Sequence, residues 1–388
     1  MSCMRRFFRV AAAFFLLGCF VDCSNTPASP VTATSPIVTP KGKFAYTGNQ
    51  GGSLSGYSID TATGALSALS GFPFVLGLSP TITAHDPQNR FLIAVDNSAD
   101  LLHVFAIDAT TGALKEISPS PYITKNEPGT VIVDPSGTHV YLYVTGQNVA
   151  YPGQGGNQVD AYNLSSAGVL TAVAGTPFLL GTATNSISAG TPAMVTDLTG
   201  KFLYLLDGTN LYAFGVDANS GALSLLQTIS GYSLATAVAL DPAGKYLYAT
   251  GAATNSIGAY GINPASGTLT QAKTSAMLEH NGAYTISVSP NGRFAYTIEN
   301  NNDLVSYAIT DGSFTPVGNV YAHIYGQQIA IDPSSSFLYV PQACSNCPSG
   351  VFNVVHEFSI DSMGALTPIP GSPVAAGVTP WGITVTSQ

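Results

Sequence analysis

Residues Thr236–Leu269, TAVALDPAGKYLYATGAATNSIGAYGINPASGTL, read as three short strands with two kinds of turn between them, and a fourth strand opens at their end. Thr236–Leu240 is small and apolar. Asp241-Pro242-Ala243-Gly244 then turns the chain: proline presets φ, aspartate caps its own backbone, and glycine accepts the last turn position. Tyr246–Thr250 is the second strand, and its tyrosines, two apart, share a face. A Gly/Asn/Ser hairpin leads to the third strand, Ile257–Ile262, Asn263–Gly267 turns again, and Thr268–Ala272 is the fourth. These are strands A, B, C and D.

The unit recurs. Its first strand-B residue reappears as Phe44, Phe91, Val140, Phe202, Tyr246, Phe294 and Phe337, at gaps of 47, 49, 62, 44, 48 and 43 residues. Two insertions, around Gly146–Asn157 and Leu179–Gly190, account for the long gap. The A–B turn repeats at Asp86-Pro87, Asp134-Pro135, Asp241-Pro242, Ser289-Pro290 and Asp332-Pro333, with Asp197-Leu198 as a variant. The C–D turn repeats at Asp60, Asp108, Asp217, Asn263 and Asp361, each with a glycine three or four residues on. Four strands in roughly 45 residues is one propeller blade, so seven copies predict an all-β, seven-bladed β-propeller.

The ends carry a second signal. The first repeat starts at strand B, while Trp381-Gly382-Ile383-Thr384-Val385 is a spare strand A at the other end. Pairing that strand with the first B–C–D closes the ring and removes exposed sheet edges. The ring is expected over residues 41–388. Before it, residues 1–19 read as an export signal: Arg5, Arg6 and Arg9, then the apolar run Val10–Leu17, too short for a mature membrane span. Leu16-Leu17-Gly18-Cys19 resembles a bacterial lipobox, with Cys19 as the lipidated residue and ordinary signal cleavage as the alternative. Residues 20–40, rich in Ser, Thr and Pro, read as a tether. The expectation is an exported protein, lipid-anchored in the periplasm or outer membrane or else secreted, and monomeric.

Composition narrows the function. Charged residues are only 9% of the chain, net charge is −9, and three of the 12 Lys and Arg lie in the first nine residues. A nucleic-acid partner needs a basic surface and is excluded. Alternating strands put the stereotyped A–B and C–D turns on one face and the variable B–C and D–A loops on the other, where a ligand is read. Arg90, Arg293, Lys201 and Lys245 follow A–B turns and belong to the stereotyped face, leaving Lys125 as the lysine of the variable one. A phosphorylated or polycarboxylate ligand would need more cations at the mouth.

The "D-P-x-G-K-x-L-Y" turns and the Asp108–Leu114 pattern "I-D-x-x-T-G-x-L" resemble the lactonase-family β-propellers, of 6-phosphogluconolactonase and carboxymuconate cyclase type, over essentially all of residues 41–388. The resemblance implies an Arg-His pair entering a strand A and an Asn-Glu pair after the next strand B. Here Tyr284-Thr285 stands at the first place and Glu299-Asn300, in inverted order, at the second, so no catalytic residue carries over.

The candidates on the variable face are therefore weighed on their own chemistry. Glu279-His280 could activate water against a lactone carbonyl, with Glu299 and His323 as further water activators; the alternative is that these are solvated loop residues. Tyr321, His323 and Tyr325 with Tyr284 and Trp381 could form an aromatic mouth, or simply pack the loops. Lys125, Glu127, Tyr284, Tyr325 and Trp381 are the expected ligand contacts. Cys344-x-x-Cys347 lacks a second ligand pair for zinc and is expected to close a disulfide. Asp96…Asp100 and Asn300–Asp303 fit hairpin turns better than calcium loops. No metal or cofactor is expected. The reading is an envelope propeller that binds a small molecule or an envelope protein on the B–C/D–A face, with a lactone hydrolase as the alternative.

Overall fold

The computed structural model describes residues 42–77, 79–124, 127–145, 157–181, 193–231, 235–251, 256–277, 282–343 and 353–387. All regular elements among them are strands, arranged as seven antiparallel sheets in which A pairs B, B pairs C and C pairs D. The innermost A strands of blades I to VII are Pro380–Ser387, Pro80–His85, Pro128–Val133, Met194–Thr196, Ala235–Leu240, Ala283–Val288 and Ala330–Ile331. Each touches the next, and the last touches the first. The B strands begin at Gly42, Phe91, His139, Phe202, Tyr246, Phe294 and Phe337. The seven-bladed propeller is the fold that the repeat requires.

The spare C-terminal strand closes the ring. It pairs antiparallel with Gly42–Asn49, from Gly42↔Ser387 to Asn49↔Pro380. Blade II fastens its end: the Asn89 side chain donates to the Ser387 carbonyl (3.0 Å) and accepts from its N–H (3.3 Å).

Strand alternation divides the apolar residues into seven clusters, one for each junction between neighbouring blades. Tyr246 and Tyr248 do share a face, in the cluster between blades V and VI. The same alternation builds a latch. The tyrosine two residues into strand B donates its hydroxyl to the glycine carbonyl of the next blade's C–D turn: Tyr46 to Gly112, Tyr141 to Gly221, Tyr204 to Gly267, Tyr296 to Gly364 and Tyr339 to Gly64, at 2.8 to 3.2 Å. Each such bond contributes about 1 kcal/mol. The same glycine lies on the aromatic that opens strand B, which explains why the C–D turn keeps a glycine.

Three sequence expectations change. In blade III the opening residue is His139, not Val140: His139 follows Asp134 by five, as Phe91 follows Asp86, and its imidazole lies beneath Gly221 as phenylalanine rings do elsewhere. Strand D of blade V runs from Leu269 to Met277, beyond the expected Ala272. In blades I, II, III and VII strand D is split in two, with a cis proline between the pieces, as at Phe72-Pro73 and Thr176-Pro177. The bodies of the two blade III insertions lie outside the described residues.

Candidate functional site: the pore mouth on the B–C/D–A face

The turn aspartates of the opposite face are structural, as the repeat suggests. Asp86 is fully buried and its Oδ1 accepts the N–H groups of Arg90 (2.6 Å) and Phe91 (2.7 Å); Asp332 does the same for Ser336 and Phe337. Burial works against the Asp134 carboxylate, but bonds from His139, Ser136 and Thr138 prevail and hold it down at about 2. Cations gather here too. Lys43, Arg90, Lys201, Lys245 and Arg293 each stand directly before the aromatic that opens a B strand. Four lie about 5 Å from the centre of that ring (4.9 to 5.2 Å), and Lys43, Lys245 and Arg293 bond to the next blade's C–D turn at Ala109, Asp311 and Ser362. At this end the A strands of blades IV–VI also line an apolar hollow of about 570 Å³, with Leu198, Pro242 and Pro290 at its lip.

The other face is acidic by comparison. The residue five beyond each of Phe44, Phe91, His139, Phe202, Tyr246, Phe294 and Phe337 lies there: Asn49, Asp96, Val144, Asp207, Gly251, Glu299 and Gln342. Asp96 accepts from the N–H groups of Ser79 and Ala99 at 3.0 Å. Asp207 accepts from the N–H groups of Thr209 and Asn210 and from the Tyr212 hydroxyl. Glu299, with 0% exposure, accepts from the hydroxyls of Tyr307 (2.5 Å) and Thr297 (3.2 Å). Asp303 accepts from the His323 N–H and the Asn301 amide. These carboxylates hold the B–C hairpins in shape.

A β-bulge recurs at the second residue of strand A, where the innermost strand meets this face. The register skips Thr81, Gly129, Thr236, Tyr284 and Trp381 in blades II, III, V, VI and I. A bulge re-aims the side chain of the skipped residue. Thr81 and Thr236 are buried and bond back to backbone carbonyls, whereas Tyr284 and Trp381 stay half-buried. Counting five back from Asp332 puts Gln327 at the same place in blade VII. The matching inter-strand bonds agree: Ala343 donates to the Tyr325 carbonyl as Asn300 does to Gly282 and Thr145 to Glu127.

The remaining candidates fall around this ring of positions. His323 is exposed, with φ +63°, and stacks on half-buried Tyr325 with centroids 6.3 Å apart and planes at 14°. Tyr321 belongs to the packing instead: its ring lies 4.9 Å from Phe358, and its hydroxyl donates to the Leu366 carbonyl. Glu127 is exposed at the head of strand A of blade III, its N–H bonded to Asp100. Glu279, His280, Lys125, Cys19, Cys344 and Cys347 lie outside the described residues. Among those described, no cluster of three or more His, Cys, Asp or Glu could hold a metal. The sequence reading missed Gln328, whose side chain crosses from blade VII to accept the Ile383 N–H of blade I at 2.8 Å.

Two histidines link the ring to pH. Burial lowers both His85, bonded to Thr384, and His356, bonded to Gln342, to about 4; for His85 the neighbouring Asp86 opposes the effect only in part. The unfolded chain therefore binds more protons between about pH 6.5 and 4. Stability is full above that window and falls as pH drops through it, by on the order of 3 kcal/mol for each group. Urea midpoints across that range are expected to fall towards pH 4, and less steeply in a His85→Gln, His356→Gln variant. A flat profile in the unmodified protein contradicts this.

The fold recurs in solved structures of low sequence identity. A candidate 6-phosphogluconolactonase from Bacteroides uniformis superposes with a TM-score of 0.71 at 18% identity, covering 89% of this chain and 99% of its own. A second, from Bacteroides fragilis, gives 0.71 at 16% identity over 90% and 99%. A periplasmic gluconolactonase from Pseudomonas aeruginosa gives 0.67 at 16% over 89% and 99%. No match emerges among curated proteins. The profile described as "Lactonase, 7-bladed beta-propeller" matches residues 23–133 and 153–282. With that match over more than half of its length, the chain belongs to the lactonase family of seven-bladed β-propellers.

Proposed function

We propose that this lactonase-family ring is a binding module of the cell envelope, one that holds an uncharged small molecule or a partner protein on its B–C/D–A face without hydrolysing it. The observation that carries the reading is the engagement of four carboxylates on that face: Asp96, Asp207, Glu299 and Asp303 accept bonds from their own B–C hairpins, from a strand hydroxyl or from the neighbouring D–A loop. A water activator needs a free lone pair within reach of the substrate and an electrophilic partner for the carbonyl. Among the described residues the Lys and Arg sit on the opposite face, with Lys115 and Lys273 on outer D strands. The export signal read in residues 1–19 and the lipobox-like Leu16–Cys19 support an envelope location, with the ring as a monomer.

A second reading has its own support. The family is one of lactonases, and the Pseudomonas aeruginosa neighbour is a periplasmic gluconolactonase. A neutral sugar lactone outside the cytosol would need no cationic mouth. Glu279, His280, Glu299 or His323 is then the water activator. Purified residues 41–388 assayed on neutral and phosphorylated lactones separate the two. The binding module predicts rates equal to buffer and unchanged by Glu279→Gln or His280→Ala. Turnover that either substitution lowers by a factor of 100 or more, about 3 kcal/mol of barrier, establishes the hydrolase.

A further inference from the structure

The junction between blades VII and I, which the closing strand helps to fill, differs from three others in one bond. Two residues after the C–D glycine, strand D opens with Leu66, Leu170, Leu269 and Leu366 in blades I, III, V and VII, and a side chain of the preceding blade bonds to the main chain of each. Three of these side chains are neutral. Tyr122 accepts the Leu170 N–H (2.9 Å), Gln227 accepts the Leu269 N–H (2.7 Å) and donates to its carbonyl (3.0 Å), and Tyr321 donates to the Leu366 carbonyl (2.8 Å). The fourth is an acid. Glu357, 1% exposed, accepts the Leu66 N–H at 2.6 Å through Oε1, while its Oε2 is buried with no partner. Tyrosines face it from both blades: Tyr339, its partner on strand B, and Tyr57 on strand C of blade I. Their hydroxyls donate to the carbonyls of Gly64 and Ala375, and burial keeps both phenols protonated. The adjacent His356 lies on the other side of its strand, bonded to Gln342 and stacked on Phe358. Among the described residues no cation pairs with Glu357.

We propose that Glu357 makes this junction a proton-operated latch, closed most firmly with the carboxyl protonated and loosened when it ionises. A buried carboxylate with one donor and one bare oxygen has lost more from water than a single N–H returns. Burial accordingly raises its pKa above the usual carboxylate range, and the Leu66 N–H and the Ser372 hydroxyl oppose the rise only in part. The closed ring therefore keeps the Glu357 proton to higher pH than a chain opened at this junction. The contribution to closure is full below about pH 4.5 and is lost as pH rises through the raised value, opposite in sign to that of His85 and His356.

Glu357→Gln tests the latch, because the amide keeps an oxygen for the Leu66 N–H, matches the protonated acid in shape and never ionises. Urea midpoints of residues 41–388 with and without the substitution are compared from about pH 4.5 to 8, so that the two histidines common to both cancel. The variant is expected to match the unmodified protein near the acid end and to exceed it increasingly towards the other. Amide exchange places the effect at the junction and needs no variant. In the unmodified protein the protection factor of the Leu66 amide, taken relative to that of Leu269 at its neutral latch, is expected to fall several-fold over the same range. A midpoint difference that does not change with pH overturns the latch, as does a constant ratio of Leu66 to Leu269 protection in the unmodified protein. Either result leaves the binding module standing.

Discussion

Removing the residues after Pro380 is expected to abolish cooperative folding of the whole ring. The strand they form supplies the innermost element of blade I and pairs with Gly42–Asn49 along its length. Ile383 is 2% exposed and Val385 8%, both in the cluster shared by blades VII and I. Burying two such side chains contributes roughly 3–6 kcal/mol in all. Their loss also opens the B strand of blade I as an unpaired edge and removes the contacts that the strand makes with A strands on both sides. Domains are commonly stable by only about 5–15 kcal/mol, so this one element accounts for a large share of the margin. Urea denaturation followed by circular dichroism checks it. The truncated chain should lose its sigmoidal transition or shift it to much lower urea, and a midpoint within experimental error of the full ring would refute the closure argument.

Gly267→Ala should show the second large effect, about 2–4 kcal/mol of destabilisation. Gly267 sits at φ +70°, and a Cβ there would lie 2.2 Å from the Phe202 ring of the preceding blade. Phe202 cannot move freely, because it is buried in the cluster between blades IV and V, and Tyr204 is bonded to the Gly267 carbonyl. Two costs combine: about 1 kcal/mol for an L-residue with positive φ, and a further 1–3 kcal/mol for overpacking. Gly244→Ala separates them. Gly244 has nearly the same φ, +69°, and an added methyl there would meet nothing within 4 Å, so only the conformational cost applies. Equal losses for the two variants would mean that the latch between blades contributes nothing.

The repeat was legible because each of its marker residues answers to a local rule. Asp-Pro-x-Gly turns, tyrosines two apart and glycines after C–D aspartates all follow from turn geometry and strand alternation. The closing strand was legible too, as a mismatch between the two ends of the repeat. What escaped the sequence depends on contacts between blades. The place of His139 became clear only once Gly221, 82 residues later, lay over its ring. The split D strands did carry a local mark, a proline just before the outer piece at Pro73, Pro121, Pro177 and Pro373, which the repeat pattern of turns and tyrosines did not include.

At the candidate site the sequence put Glu299, Asp303, Tyr284 and Trp381 on the B–C/D–A face, with Glu299 read as a water activator, Asp303 as a turn residue and the aromatics as ligand contacts, but it could not show what each side chain bonds. Tyr307 pairs with Ala295 on the face that Thr297 and Glu299 share, and its long side chain reaches four residues along that face to bond Glu299. Gln328 gave no signal at all, because its partner, Ile383, lies 55 residues away across the ring closure. A bulge is likewise invisible in composition. It shows only when the register on both sides of Tyr284 or Trp381 is known.

The central proposal is that this lactonase-family ring is a binding module that does not hydrolyse a lactone offered to its B–C/D–A face. The most direct measurement follows one sample of D-glucono-1,5-lactone by NMR with a stoichiometric amount of the protein, recording saturation transfer to the sugar protons and the rate of ring opening together. The account predicts ring opening no faster than in buffer, whatever transfer is seen. Ring opening accelerated by the unmodified protein and lost in His280→Ala would contradict it.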